Sequence, residues 1–268
     1  MAWLLSRAFP HRFFCVTSPN DTGQLSVSAP RIDLCLLGGF EVRGAGEAGA
    51  AILAQSKPLA LLAFLALSPR GRFQRRDRLV GLLWPDLDQS HARAALRKAL
   101  HDLRTALGPQ VVTAHGDDEV ALTPDAVRCD AVDFTAAVEN GHLARALELY
   151  RGEFMPGFYL SGCVDYERWV EEERTSARER AATASWAMAV AFEGEHQYTE
   201  AGSWARRAVR HSWNDERVLR RAMTLLDRLG DRAGAIKLYD DFSSRLRADL
   251  EIEPSSETTT LANTIRSH

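Results

Sequence analysis

The stretch "SHARAALRKALHDLRTALG", residues 90–108, decides the fold, because its apolar residues recur at helical spacing. At about 100° per residue from Arg93, its leucines and Ala99 fall within one stripe between about 240° and 340°. That stripe is Leu96, Ala99, Leu100, Leu103 and Leu107. Gly108 followed by Pro109 is a typical helix end. The pattern predicts one amphipathic helix with its apolar side in a core.

The adjacent side of this helix is basic. The polar residues between about 0° and 80° are Ser90, Arg93, Arg97, His101 and Arg104, with Lys98 farther round. Guanidinium groups suit both phosphates and guanine edges. The face therefore predicts DNA contact, and a solvated cationic face is the alternative on the helix alone.

The flanking segments predict a winged helix-turn-helix. Upstream, "LALLAFLALSPRGRF" (residues 59–73) predicts a buried helix, and "RRDRLVGLLWPDL" (75–87) a short helix with Leu79, Leu82 and Leu83 inward. Before them, "RIDLCLLGGFEVR" (31–43) predicts two strands around a turn at Gly38 and Gly39. Downstream, Val111–Thr113 and Val120–Leu122 predict a hairpin of the size of a wing. Its tip, Asp117–Glu119, is acidic, so minor-groove contact through the wing is doubtful.

A glycine motif in residues 43–51, "RGAGEAGAA", raises the alternative of a dinucleotide-binding enzyme. Gly44, Gly46 and Gly49 have the G-x-G-x-x-G spacing, which needs a strand before, a helix after and an acid about twenty residues on. A strand-like segment and Ser56–Pro58 follow before the next helix, and no acid lies between Ala48 and Arg76. A hairpin loop with glycine turns is the favoured interpretation, whereas an enzyme would carry a bound nucleotide.

The second half predicts helical pairs with a period of 34 residues. "YTEAGSWARRAV" (198–209) and "DRAGAIKLYDDF" (231–242) align Ala201 with Ala235, and this offset is the tetratricopeptide period. In that alignment Ala208 matches Phe242. Small or apolar residues therefore recur where paired helices approach each other.

Composition argues against other classes. The 268 residues are 46% hydrophobic, as in globular proteins, and the four cysteines lack metal-ligand or disulfide-scaffold spacing. This cysteine pattern fits a reducing cytoplasm best. No run is long enough for a membrane span. The acids Glu171–Glu173 spread over different helix faces, which favours solvent over a metal. Although the net charge is −3, residues 70–104 hold nine basic and four acidic side chains, which indicates a local polyanion site.

The whole chain resembles the Streptomyces antibiotic regulatory protein type of transcriptional activator, a winged helix followed by a tetratricopeptide-like bacterial transcriptional activation domain. The motifs that carry the resemblance are "LLGGFEV", "RDRLVGLLWPD", "ARAALRKALHDLRTALG", "ALELYRGEFMPGF", "ERWVEEER", "LDRLGDRAGAIKLYDDF" and "IEPSSET". The resemblance implies a nucleoid-associated cytoplasmic homodimer that binds repeated half-sites in double-stranded promoter DNA and contacts RNA polymerase subunits. It implies no cofactor, no metal, no membrane and no enzymatic activity.

By position, the resemblance makes residues of the third helix the DNA-reading set, and three arginines near the second helix candidates for backbone contact. The first set is Arg93, Arg97, Lys98, His101 and Arg104, and the second is Arg75, Arg76 and Arg78. The wing lacks the aromatic residue found in many members. We expect a mainly α fold with a small N-terminal β part: a flexible tail (1–30), a winged helix domain (31–124) and an all-α repeat domain (125–268). The alternative function is a protein-interaction scaffold whose degenerate winged helix does not bind DNA.

Overall fold

A computed structural model of the chain describes residues 32–212 and 214–267, so the predicted tail of residues 1–30 lies outside the described residues. The chain begins with a small sheet of three strands. β1 (Ile32–Cys35) pairs antiparallel with β2 (Glu41–Arg43) and parallel with β6 (Val127–Cys129), which gives the order β2-β1-β6. The predicted turn at Gly38 and Gly39 is confirmed, and Gly38 has a φ of +84°.

Four helices follow the first two strands. They are α1 (Gly46–Leu53), α2 (Ser56–Leu67), α3 (Arg76–Leu83) and α4 (Gln89–Leu107). The last three confirm the predicted helix-turn-helix, in which Leu79 and Leu83 are buried and Leu82 is half-buried. α1 corrects the prediction of a strand-like segment after the glycines. It packs against α4 and β2, so tertiary contact outweighs the low helix propensity of its two glycines.

The predicted wing is a hairpin in a second sheet. β4 (Val112–His115) pairs with β5 (Glu119–Leu122), and β5 also pairs with the short β3 (Gln74–Arg75), so the order is β3-β5-β4. Val120 is fully buried in this sheet. Because β3 immediately precedes α3, the sheet joins the wing to the start of the helix-turn-helix.

After β6 the described residues form seven helices. They are α5 (Asp130–Glu139), α6 (Leu143–Leu149), α7 (Val164–Gly194), α8 (Tyr198–His211), α9 (Glu216–Arg228), α10 (Arg232–Leu250) and α11 (Ser256–Ser267). The longest connection between them is residues 150–163, between α6 and α7. Ala201 and Ala235, the aligned pair of the repeat, are both fully buried, as are Ala208 and Phe242. The chain is thus mainly α, with a winged helix-turn-helix followed by a tetratricopeptide-like array.

One hydrophobic core extends from the N-terminal sheet into the helical array. It includes Ile32 and Leu34 of β1, the stripe of α4, Phe134 of α5 and residues of α7 as far as Ala184, while a second core runs from Ala189 to Ile265. Backbone bonds join the same parts, since the amide of Gly38 donates to Glu153 (2.8 Å) and that of Met155 to Leu36 (2.8 Å).

The connection 150–163 is held by two side chains of α7. Arg174 donates from Nε to the carbonyl of Phe154 (3.0 Å), and from Nη2 to the carbonyls of Met155 (2.6 Å) and Phe158 (3.2 Å). The hydroxyl of the fully buried Tyr166 contacts the sulfur of Met155 in the connection (3.9 Å) and donates to the carbonyl of Ala60 in α2 (3.2 Å). The bonds of Arg174 satisfy carbonyl groups outside regular structure, which would otherwise be costly to bury.

Within the described ranges, no single helix is both long and apolar enough to cross a membrane. The pair α1 and α2 meets that length and composition test only jointly and with a bend of 101° between the helices.

Candidate nucleic-acid interface

The predicted recognition helix, α4, begins at a side-chain cap and presents the predicted apolar stripe to the core. Asp88 accepts from the amides of Ser90 (3.0 Å) and His91 (3.2 Å), which satisfies two of the free donors at the helix start. The predicted stripe of α4 is confirmed: every member from Leu96 to Leu107 is at most 9% exposed. The neighbouring face is therefore fixed in its orientation toward solvent.

Four basic side chains on this face are exposed, and two of them are held by carboxylates. Arg93 pairs with Asp77 of α3 at 2.9 Å, and Lys98 pairs with Asp102 one turn later at 2.7 Å. Arg97 and His101 make neither a hydrogen bond nor an ion pair within the described part of the chain. These two side chains lie one helical turn apart and can engage a ligand without first leaving a partner.

Two other predicted contact residues have structural roles. Arg104 is half-buried, and its Nη2 donates to the carbonyl of Val112 at the start of the wing (3.3 Å). The hydroxyl of Ser90 donates to Asp88 at 2.8 Å as part of the helix cap. The first bond fixes the wing relative to α4, and the second belongs to the turn that starts the helix.

The structure places the three arginines near the second helix in different environments. Arg75 is exposed in β3 and lies opposite Glu119 of the wing. Arg76 is half-buried, and its amide donates to the carbonyl of Asp118 (2.8 Å). Arg78 donates to Gln74 at 3.0 Å, and its guanidinium stacks 5.3 Å from the ring of Phe64 in α2.

One acid of the wing tip, Glu119, lies beside basic residues. Glu119 lies opposite Arg75 across the sheet and also contacts the ring of His115 on β4 (3.2 Å). Because cation and carboxylate share this edge, the negative charge that the wing presents to a phosphate backbone is partly offset.

The glycine motif occupies a helix entry rather than a nucleotide-binding turn. Gly44 and Gly46 have positive φ angles of +87° and +55°, but Gly46 and Gly49 both lie in α1, so the predicted hairpin loop is instead a turn from β2 into a helix. A Cβ on Gly49 would lie 2.8 Å from that of Ala45, so close packing explains this glycine. The strand before the motif, β2, pairs antiparallel with β1, whereas the strands of a dinucleotide-binding unit are parallel.

The family model of the bacterial transcriptional activator domain matches residues 121–266. The chain belongs to this family. The match confirms the resemblance to regulators of the Streptomyces antibiotic regulatory protein type, and the family is one of transcriptional regulators rather than of enzymes.

Among solved structures, the chain is similar to Mycobacterium tuberculosis EmbR, which was solved in complex with a low affinity phosphopeptide. The TM-score is 0.59 at 24% sequence identity, and the match covers 88% of this chain. The match covers 65% of the EmbR chain. A comparison with curated proteins gives no significant match. The EmbR likeness supports the fold, a winged helix followed by a helical array.

Two of the motifs that carry the family resemblance hold elements of the fold in place. In "IEPSSET", Ser255 donates its amide to Glu216 of α9 at 3.0 Å, and its hydroxyl and that of Thr258 bond to the same carboxylate. In "WPD", the ring of Trp84 lies 5.9 Å from Nζ of Lys57 in α2. The same Nζ donates to the thiol sulfur of Cys163 at 2.9 Å. These motifs therefore identify the fold rather than a ligand site.

The activator domain also buries one histidine. His211 ends α8, its ring meets that of Tyr150 edge to face at 5.0 Å, and its Nε2 has no partner in the described chain. Burial, assisted by the charges of Arg207 and Arg210, lowers the pKa of His211 to about 4. The ring is therefore neutral at physiological pH. The sequence around His211 gives no local signal of this partial burial.

Proposed function

We propose that the chain activates transcription by binding promoter DNA in a sequence-specific manner, with α4 in the major groove. The observation that carries the proposal is the exposed, unpartnered pair Arg97 and His101 beside a buried stripe on the third helix of a winged helix-turn-helix. In such folds the third helix presents side chains to base edges while the flanking elements contact the backbone.

The electrostatics favour different roles along this surface. Arg97 has no partner to give up among the described residues, so a bidentate contact with guanine would supply roughly 1–3 kcal/mol of discrimination. Arg93 must exchange Asp77 for DNA, so its net contribution is smaller. Exposed Arg75, at the edge of the wing sheet, is suited to a phosphate contact, which would add affinity without sequence preference.

The remaining parts of the proposal rest on the family. A homodimer on repeated half-sites would place two copies of α4 in successive major grooves, and the activator domain would contact RNA polymerase subunits. Such a regulator would work in the cytoplasm, on the nucleoid. The chain would then divide into the winged helix (31–124) and the activator domain (125–268), preceded by the tail (1–30).

The test is selection of genomic fragments by the purified full chain at two salt concentrations, followed by sequencing of what is retained. We expect a repeated motif, with binding that weakens steeply as salt rises. Arg97→Ala should relax base preference at one position of each half-site, whereas Arg75→Ala should weaken binding to all sequences and lower the salt slope by about one. Arg168→Ala is the matched control, because Arg168 is equally exposed on a helix but lies on α7.

Two results would overturn the assignment. If Arg97→Ala and Arg168→Ala retained the same motif with the same affinity, α4 would not be the reading helix. If the unmodified chain retained nothing, or all fragments alike, the alternative of a protein-binding scaffold with a winged helix that does not bind DNA would replace the proposal.

A further inference from the structure

The outer face of the N-terminal sheet carries a row of charged side chains. Asp33 in the central strand β1 lies opposite Arg43 of β2 and opposite Arg128 of β6. Residues paired directly across strands project from the same face of a sheet. The opposite face holds Leu34, which is fully buried in the core. The row Arg43, Asp33, Arg128 therefore faces away from the core.

A cavity of about 120 Å³ covers this row, and its other wall comes from the activator domain. Arg145 and Leu149 of α6 and Arg151 just beyond it complete the lining. Four guanidinium groups thus surround one small space. A space of this size admits several water molecules, so a small polyatomic anion fits it.

Three of the four arginines already have carboxylate partners. Arg43 pairs with Glu41 at 2.6 Å, Arg145 with Glu148 at 3.0 Å, and Arg128 with Asp133. The fourth, Arg151, has no ion pair among the described residues, although its charge acts on Asp130. Arg151 makes a side-chain contact only with the Cys35 thiol at 3.6 Å, as far as the structure describes the chain. Burial raises the pKa of that thiol, so it is neutral.

Among the carboxylates around the cavity, one oxygen lacks a hydrogen-bond donor in the described part of the chain. Both oxygens of Asp130 accept amide protons, from Leu36 at 2.8 Å and Leu37 at 3.2 Å. Oδ1 of Asp33 is buried and accepts from no described residue. A buried carboxylate oxygen without a donor is costly, so an occupant that donates a hydrogen bond there is favoured.

We propose that this cavity binds a small anion that carries a hydroxyl group next to a phosphate or carboxylate. The anionic group binds Arg151, with Arg145 at the rim, and the hydroxyl donates to Asp33. Charge-assisted bonds to a guanidinium supply the affinity, and the single acceptor supplies the selectivity. The site does not depend on DNA binding, so the two proposals can fail separately.

The experiment is calorimetric titration of the full chain with four probes: glycerol 3-phosphate, glycerate, propyl phosphate and inorganic phosphate. Propyl phosphate has the shape of the first probe without its hydroxyls. We expect saturable binding of glycerol 3-phosphate or glycerate, whichever anionic group fits, and weaker binding of propyl phosphate. Arg151→Ala should weaken binding roughly tenfold or more, and Arg168→Ala should not change it. Asp33→Ala should abolish the preference for the hydroxylated phosphate.

Other results would overturn the proposal. Absence of saturable binding of all four probes would show that the cavity holds water only. Equal affinities for glycerol 3-phosphate and propyl phosphate would remove the role of Asp33. Circular dichroism checks that each variant is folded, and if Arg151→Ala is not, Arg145→Ala on the exposed rim takes its place. Unchanged binding in that variant would also contradict the assigned site.

Discussion

Replacement of Arg174 by alanine should destabilise the chain more than replacement of any arginine at its surface. The side chain is 15% exposed and donates to three carbonyls of the connection before α7. Bonds from a charged donor contribute about 1.5–3 kcal/mol each, but the connection can relax and admit water, so the losses do not add fully. We expect the free energy of unfolding to fall by about 3 kcal/mol, a large part of the stability of a typical domain.

The measurement is urea unfolding followed by circular dichroism, with Arg178→Ala as the control. Arg178 lies one turn farther along α7 and pairs with Glu171 at 3.3 Å and Glu153 at 3.9 Å. As a partly exposed ion pair it should contribute less than about 1 kcal/mol. The unfolding midpoint of Arg174→Lys should fall between those of the two alanine variants, because one ammonium group cannot donate to all three carbonyls that the planar guanidinium reaches. Equal midpoints for Arg174→Ala and Arg178→Ala would refute the role assigned to these bonds.

Three further changes probe other contacts. Tyr166→Phe removes the bond to Ala60 without a change of shape and should cost about 1 kcal/mol in urea unfolding, and an unchanged midpoint would contradict this. Gly38→Ala forces a Cβ to 2.8 Å from the carbonyl carbon of Arg151 at a φ of +84°, and should lower the melting temperature by more than Gly141→Ala, where φ is +74° but space is open. The lowered pKa of His211 means that the folded chain disfavours the protonated ring, so stability present above about pH 6.5 should fall by about 2 kcal/mol toward pH 4, after allowance for screening. His211→Gln should flatten that pH dependence of the melting temperature, and an unchanged slope would exclude the ring as its source.

The helices of the winged helix were predictable because each has its own local signal. The stripe from Leu96 to Leu107 follows helical spacing, and the stop at Gly108 needs no distant partner. α1 was not predictable, since its sequence is rich in glycine and alanine and its start has no side-chain cap. Its conformation depends on packing against α4, which no local pattern encodes.

The chemistry of the candidate sites was less accessible from sequence than the helices. The periodicity of α4 placed Arg93 and Arg97 on one face, but whether each has a partner depends on Asp77, which is supplied by another helix. The charged row on the first sheet needs the pairing of Asp33 with Arg128, residues 95 positions apart along the chain. A three-residue strand such as β6 has too little pattern to reveal that pairing in advance.

The continuity of the first core bears on how regulators of this kind could be recombined. β6 and Asp130 follow the predicted end of the winged helix, yet β6 pairs with β1 and Asp130 accepts from the amides of Leu36 and Leu37 just after it. A chimera joined at residue 124 would pair β1 with a foreign strand and lose those bonds. Under the proposed function, new operator preferences are therefore better acquired by exchange of the exposed residues of α4 than by exchange of whole modules. The same constraint would act on natural shuffling, so the winged helix and the first helices behind it should be inherited as one piece.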